Sequence, residues 1–208
     1  MKKENSIFKN FMQIMAILSL ILAILFGIFD YVFINAIFYI LAIVFFIISY
    51  HLGIRVILGE IIPKFKNKIN PDAKRYKLTR FEEILYKKLN VKKWKDKVPT
   101  YDPDEFDFEK NTKEQLLINM CNSENVHEIN IVASYAIILF AIPFGMLWLF
   151  VISAFFAGLM DLMFVIIQRY NRPRIQKFLA RKENYKVGEI KKWILIIKKR
   201  KYWLVHVC

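Results

Sequence analysis

Two cysteines and three histidines are all that this chain of 208 residues supplies of the side chains that most often hold metals or form covalent intermediates. Cys121 and Cys208 cannot make a four-ligand zinc spacing, and His51, His127 and His206 are too few for a histidine-rich iron centre. A lone E-x-x-H is half of a di-iron carboxylate site, and the second half is absent, so no metal and no cofactor is expected. The six glycines form no phosphate-binding loop and no nucleophile elbow, which removes P-loop and hydrolase readings. No internal repeat is visible.

Charge is also missing, from long stretches. From Phe11 to Phe29 and from Val32 to Tyr50 the only ionisable groups are tyrosines and the connection at Asp30 and Tyr31 separates the two runs. Each run is long enough to cross roughly 30 Å of hydrocarbon, and neither ends like a cleaved leader. The run from Ile129 to Gln168 is interrupted only at Pro143, Phe144 and Gly145, so it reads as two spans joined by a very short turn. Yet the hydrophobic fraction of 56% coexists with a net charge of +14, so the basic residues must lie outside these runs. The expectation is an all-α integral membrane protein with about four transmembrane helices. They form two hairpins beside a mainly helical, cytoplasmic interfacial layer. The divisions are a first hairpin at 1–50, an interfacial segment at 51–128, a second hairpin at 129–168 and a basic tail at 169–208.

Lysine and arginine are retained on the cytoplasmic side during insertion. Lys2, Lys3 and Lys9 precede the first span, basic segments follow the second and fourth, and the two short connections contain none. Both termini and the large loop are therefore expected in the cytoplasm of a multi-pass cell-membrane protein. There the surplus charge meets anionic lipid, with no call for nucleic acid. Both cysteines then lie where thiols stay reduced.

Within the polar segment, Thr79 with Glu82 and Thr112 with Gln115 have capping-box spacing and predict two helix starts. After Thr112, the residues Leu116, Met120, Glu124 and His127 share one helix face, which stands a carboxylate and an imidazole one turn apart. That pairing is the equipment of a general base, although an interfacial helix can carry both by chance. Arg169, Arg172 and Arg174 make a clamp for phosphate or carboxylate, or an ordinary stop-transfer flank, with Pro173 ending the helix. Trp94 among lysines reads as a headgroup-level anchor. Asp161, alone in the fourth span, either lines a site or pairs with Arg169 or Arg172. Gly158 and Ala154 suit close helix packing. A covalent route through Cys121 is conceivable. The tail after Gly188 carries an apolar run too short to cross a bilayer, expected to lie in the interface or add a short strand.

The order of these pieces resembles a known family. His51-Leu52 with Arg55, Ile62-Pro63, the run Val91 to Pro99, Glu124-Asn125-Val126-His127 and Gln168-Arg169-Tyr170-Asn171-Arg172-Pro173-Arg174 are similar to motifs of the glycosyl-4,4′-diaponeurosporenoate acyltransferases of staphyloxanthin-type carotenoid biosynthesis. The resemblance implies a membrane acyltransferase that esterifies a sugar hydroxyl of a glycolipid or glycosylated carotenoid acid with a fatty acyl chain. It implies an acyl donor, a lipid-linked glycosyl acceptor and membrane lipids as partners. His127 with Glu124 would activate the hydroxyl. Arg169, Asn171, Arg172, Arg174, Trp94, Lys95, Asp96, His51 and Arg55 would contact substrate. The competing readings are a non-catalytic lipid or headgroup binder and a structural membrane protein.

Overall fold

The computed structural model describes residues 7–98, 103–107 and 109–205, with side chains omitted at 7, 8, 96, 103 and 182–205. Its helices in chain order are α1 (Ile7–Phe33), α2 (Ala36–Ile61), α3 (Arg80–Lys88), α4 (Val91–Trp94), α5 (Lys113–Ala136), α6 (Ala141–Phe144) and α7 (Leu147–Val205). Short 3₁₀ turns, among them Ile62–Lys68 and Lys74–Tyr76, link the polar middle of the chain. There is no strand among the described residues. Four helical stretches are long and apolar enough to cross a membrane: Lys9–Phe33, Ala36–Lys68, Lys113–Phe144 and Leu147–Arg181. The protein is an all-helical membrane protein, and the aliphatic and aromatic side chains exposed along these helices, such as Ile14, Ile17, Ile21, Phe155 and Phe156, are the surface that lipid covers.

The helices extend well past the apolar runs. α2 continues through His51 and Arg55, placing both inside a span and not in the loop after it. α5 begins at Lys113, so Glu124 and His127 ride on the same helix as the third span. Pro173 does not stop α7 but lies inside it, where the ring removes one backbone hydrogen bond without ending the helix. The backbone of the tail is helical through Val205, not a strand. The chain divides into two compact units, residues 1–170 and 171–208.

Local chemistry fixes the starts and reversals. Thr79 and Thr112 each accept from the backbone N–H three residues on, while Glu82 and Gln115 reach back to the cap amides, as their spacing predicts. Asn35 caps α2 through Ile37 N (2.9 Å). Between α6 and α7 the chain reverses at Gly145, whose φ of 65° and ψ of −152° suit a residue without Cβ.

Packing then joins the spans. Ser49 Oγ donates to Ala16 O (2.9 Å) between α1 and α2, and Lys9 pairs with Glu60 nearer the polar end. Tyr50 donates to Ala133 O (2.8 Å) between α2 and α5, and Tyr39 to Phe144 O at the opposite end. Ile43, Ile47, Ile137, Phe150 and Ala154 form the buried core among α2, the turn after α5, and α7. At Gly158 a Cβ would stand 3.0 Å from Cε2 of Tyr135, so this glycine admits the α5 ring against α7. Gly158→Val should therefore lower stability by about 1–3 kcal/mol. Gly158→Ala should cost less because the Tyr135 ring can swing aside. Thermal unfolding of the detergent-solubilised full chain measures both.

Candidate active site

Asp161 is the only charged residue of α7 between Leu147 and Gln168, and it is 1% exposed. An isolated carboxylate there would carry a desolvation cost of several kcal/mol, so its partners decide the local structure. Arg55 Nη2 of α2 donates to Oδ2 at 2.5 Å, and His127 Nδ1 of α5 lies 2.9 Å from Oδ1. Three helices thus meet on one carboxylate. The same guanidinium donates to Ala157 O (3.1 Å), Ser134 Oγ (3.4 Å) and, one turn back on its own helix, His51 O (2.7 Å). Asp161 stands 14 residues after the start of α7, so the cluster lies roughly 20 Å along that helix from the Gly145 turn. That depth is toward the polar end of a ~30 Å hydrocarbon layer.

The imidazole of His127 stacks on Phe164 of α7, centroids 4.5 Å apart and planes 7° from parallel. Phe164 and Asp161 are one turn apart, so a single stretch of α7 grips the ring by its face and by Nδ1. With Oδ2 of Asp161 taken by Arg55, the tautomer that donates from Nδ1 to Oδ1 satisfies this contact and leaves Nε2 with its lone pair. Nε2 has no partner among the described residues, and the side chain is 19% exposed. This is the arrangement of an oriented base that remains open to a ligand.

Glu124 does not orient His127. It is fully buried and accepts from Arg169 Nη1 at 2.6 Å. Arg169 also pairs with Glu82 of α3 through Nε, and through Nη2 at 3.0 Å, and donates to the carbonyls of Arg75 (3.0 Å) and Lys77 (3.2 Å). Those contacts occupy all five guanidinium N–H groups, leaving none for a headgroup. The Arg169 guanidinium outcompetes a neutral imidazole for Glu124 because its contact is charge-assisted. Burial pushes the Glu82 carboxyl up, but Arg169 and the Thr79 amide and hydroxyl outweigh it and bring it down to about 2. Burial and neighbouring Glu82 push Tyr86 up to about 12.

The profile of the glycosyl-4,4′-diaponeurosporenoate acyltransferase family matches residues 72–181, more than half of the chain. The chain belongs to that family. It is therefore an enzyme, a membrane acyltransferase of carotenoid biosynthesis, and membership implies an acyl donor and a glycosylated acceptor. No curated protein and no solved structure matches it.

The matched segment of the acyltransferase includes His127 and Asp161, while His51 and Arg55 precede it. Structure therefore unites Arg55 and His127 through Asp161, which the sequence left either lining a site or pairing with Arg169 or Arg172. Trp94 packs beside Tyr86, Val91 and Tyr170 and donates to Leu89 O (3.1 Å), away from the Asp161 cluster. Lys95 is half-buried in the following turn, and the Asp96 side chain lies outside the described residues. Asn171, buried Arg172 and exposed Arg174 belong to the second unit. Cys121 is fully buried, and six residues from His127 it points to a different helix face, so the thiol has no access for acyl relay. Phe164 and Ser134 were absent from the sequence-derived site, and Asp161 entered it only as an alternative to a structural pairing. The signal for Asp161 was its solitary charge in an apolar run, whereas its partners, 34 and 106 residues away, left no local pattern.

Arg169→Leu would strand buried Glu124, and the full chain should lose about 3–5 kcal/mol or fail to accumulate. Because the folded Glu82 carboxyl is depressed, its stabilisation is present above the unfolded value of about 4.3 and is lost as pH falls toward about 2. Thermal midpoints across that window should fall less steeply for Glu82→Gln than for the parent.

Proposed function

We propose that this acyltransferase esterifies a sugar hydroxyl of a glycolipid or glycosylated carotenoid acid, and that His127 is the base that activates it. The observation that carries this reading is the Nδ1 contact to Asp161 at 2.9 Å, which directs the unpartnered Nε2 toward a ligand. The acceptor hydroxyl gives its proton to Nε2 as its oxygen attacks the acyl carbonyl carbon. The imidazolium so formed is stabilised by Asp161, and it returns the proton to the departing carrier as the old acyl bond breaks. Asp161 is a positioning residue, and Arg55 holds its other oxygen.

The cluster's depth supports this division of labour. A fatty chain extends among the apolar helices while the polar acceptor approaches from the basic segments. These segments, and the absence of lysine and arginine from the connections at Ile34-Asn35 and Gly145-Met146, support a reading in which both termini and the site face the cytoplasmic side of the cell membrane. Glu124 serves through Arg169, clamping α3 to the bundle. Exposed Arg174 of the second unit, with Asn171, is proposed to meet anionic headgroups.

Cells that make the glycosylated carotenoid acid, expressing either the intact chain or His127→Gln at matched levels, provide the test by lipid extraction and mass spectrometry. The esterified product should require His127, and Asp161→Asn should lower its rate of formation on the order of 1,000-fold while the protein still inserts. Equal product from intact chain and His127→Gln would remove the imidazole from the chemistry. Product from neither would favour a headgroup-binding role.

A further inference from the structure

Acyl transfer builds negative charge on the former carbonyl oxygen, and the residues assigned above do not meet it. Nε2 of His127 handles the proton, Asp161 carries the wrong charge, and both Nη atoms of Arg55 are already engaged. The bundle nevertheless holds donors without partners. Nδ1 and Nε2 of His51 and Nε of Arg55 are all buried, with no hydrogen-bond partner among the described residues. In either neutral tautomer the imidazole presents one N–H, so the set contains at least two unused donors.

We propose that His51 and Nε of Arg55 form the oxyanion-binding pair of the enzyme, a role that rests on the base reading of His127. Residues four apart on a helix share a face, and here the link is direct because Arg55 Nη1 donates to the His51 carbonyl. Arg55 is simultaneously bonded to Asp161, and Asp161 to His127, so the unused donors adjoin the carboxylate that orients the base. A buried donor left unpaired is costly, and a catalytic or ligand-binding role is one reason a protein keeps such a group. Asn122 and Asn130 also bury an unpartnered atom, but in each it is the side-chain oxygen, an acceptor with the wrong polarity for an anion, and the remaining such atom, Nε of Arg172, belongs to the second compact unit and not to the Asp161 cluster. The donors on α2 therefore match the chemistry that lacks a partner.

The step balances within these residues. The hydroxyl oxygen bonds to the acyl carbon and its proton goes to His127 Nε2. The carbonyl π pair moves onto oxygen, which accepts hydrogen bonds from His51 and Arg55 Nε. When that pair returns, the bond to the carrier breaks and the carrier takes the proton from His127. Donors aimed at the oxyanion are worth most in a water-poor site, where removing one lowers kcat by about 100- to 1,000-fold.

Rates of ester formation per quantity of inserted protein, in cells making the glycosylated carotenoid acid, test the assignment with the full chain. His51→Phe keeps the ring volume and removes the donors. It should slow product formation about 100-fold or more at an unchanged thermal midpoint, and His51→Gln, which restores an N–H, should recover to within about tenfold of the parent. Arg55→Lys keeps a cation for Asp161 without Nε, and it should slow the reaction to a similar degree. If His51→Phe does not accumulate, His51→Ala against His51→Gln makes the same comparison. Full activity in His51→Phe, or equal loss in the phenylalanine and glutamine variants, overturns the proposal while leaving His127 as base. No product from the intact chain overturns the underlying reading and this role together.

Discussion

A carboxylate enclosed among apolar helices must be neutralised by residues brought to it, and at Asp161 that requirement organises the bundle. The hydrocarbon outside supplies little preference between one aliphatic helix face and another, because lipid tails are as apolar as the side chains themselves. Isoleucines and phenylalanines thus make α2, α5 and α7 insert without fixing which faces meet. The Arg55–Asp161 ion pair fixes α2 against α7, and the His127–Asp161 contact fixes α5 against α7. Ser134 and Ala157 then take up further donors of the guanidinium, so the register is held by several directional bonds.

A second charged cluster does equivalent work at the polar edge. Arg169 binds Glu82 of α3 and Glu124 of α5 and ties in the backbone at Arg75 and Lys77, so one side chain of α7 docks the interfacial segment onto the bundle. Arg75 continues the seam to Glu128, and Tyr76 to Asn125, along α5. The two clusters differ in what they leave open. Arg169 has no N–H to spare, which suits a clamp. Around Asp161, by contrast, His127 Nε2, the His51 ring and Arg55 Nε have no partner among the described residues, which suits a place where a ligand arrives.

Much of this was legible in the sequence where the signal is local. Four apolar runs, the last broken only by Asp161, announce four spans, and threonines three residues before Glu82 and Gln115 announce the starts of α3 and α5. The motifs around Glu124, His127 and Gln168 to Arg174 pointed to the family whose profile matches. Partner choice was not legible. Proximity of Glu124 to His127 along one helix suggested a dyad, but a buried carboxylate is drawn to a guanidinium before a neutral ring, and Arg169 stands 45 residues away. Helix ends were also misplaced, because hydropathy falls at Tyr50 while the backbone hydrogen bonds of α2 continue to Ile61. A change of polarity marks where lipid ends, not where a helix does.

Position along the bundle explains why an imidazole, and not the available thiol, is suited to the chemistry. Cys121 lies within the tightly packed start of α5, among buried Leu117, Asn119 and Met120, where a thiolate would have to form without water or access. His127 lies two turns further along that helix, beyond the interfacial clamp, and keeps one edge exposed. The opposite end of the bundle, at Ile34 and Gly145, is mostly apolar, its polar side chains near the connections being Asp30, Tyr31, Asn35 and Tyr39. A long acyl chain can lie against that apolar length while its carbonyl reaches the Asp161 layer. On the proposed reading, the same separation that makes the protein insert would put the reacting ester bond where hydrocarbon and headgroup meet.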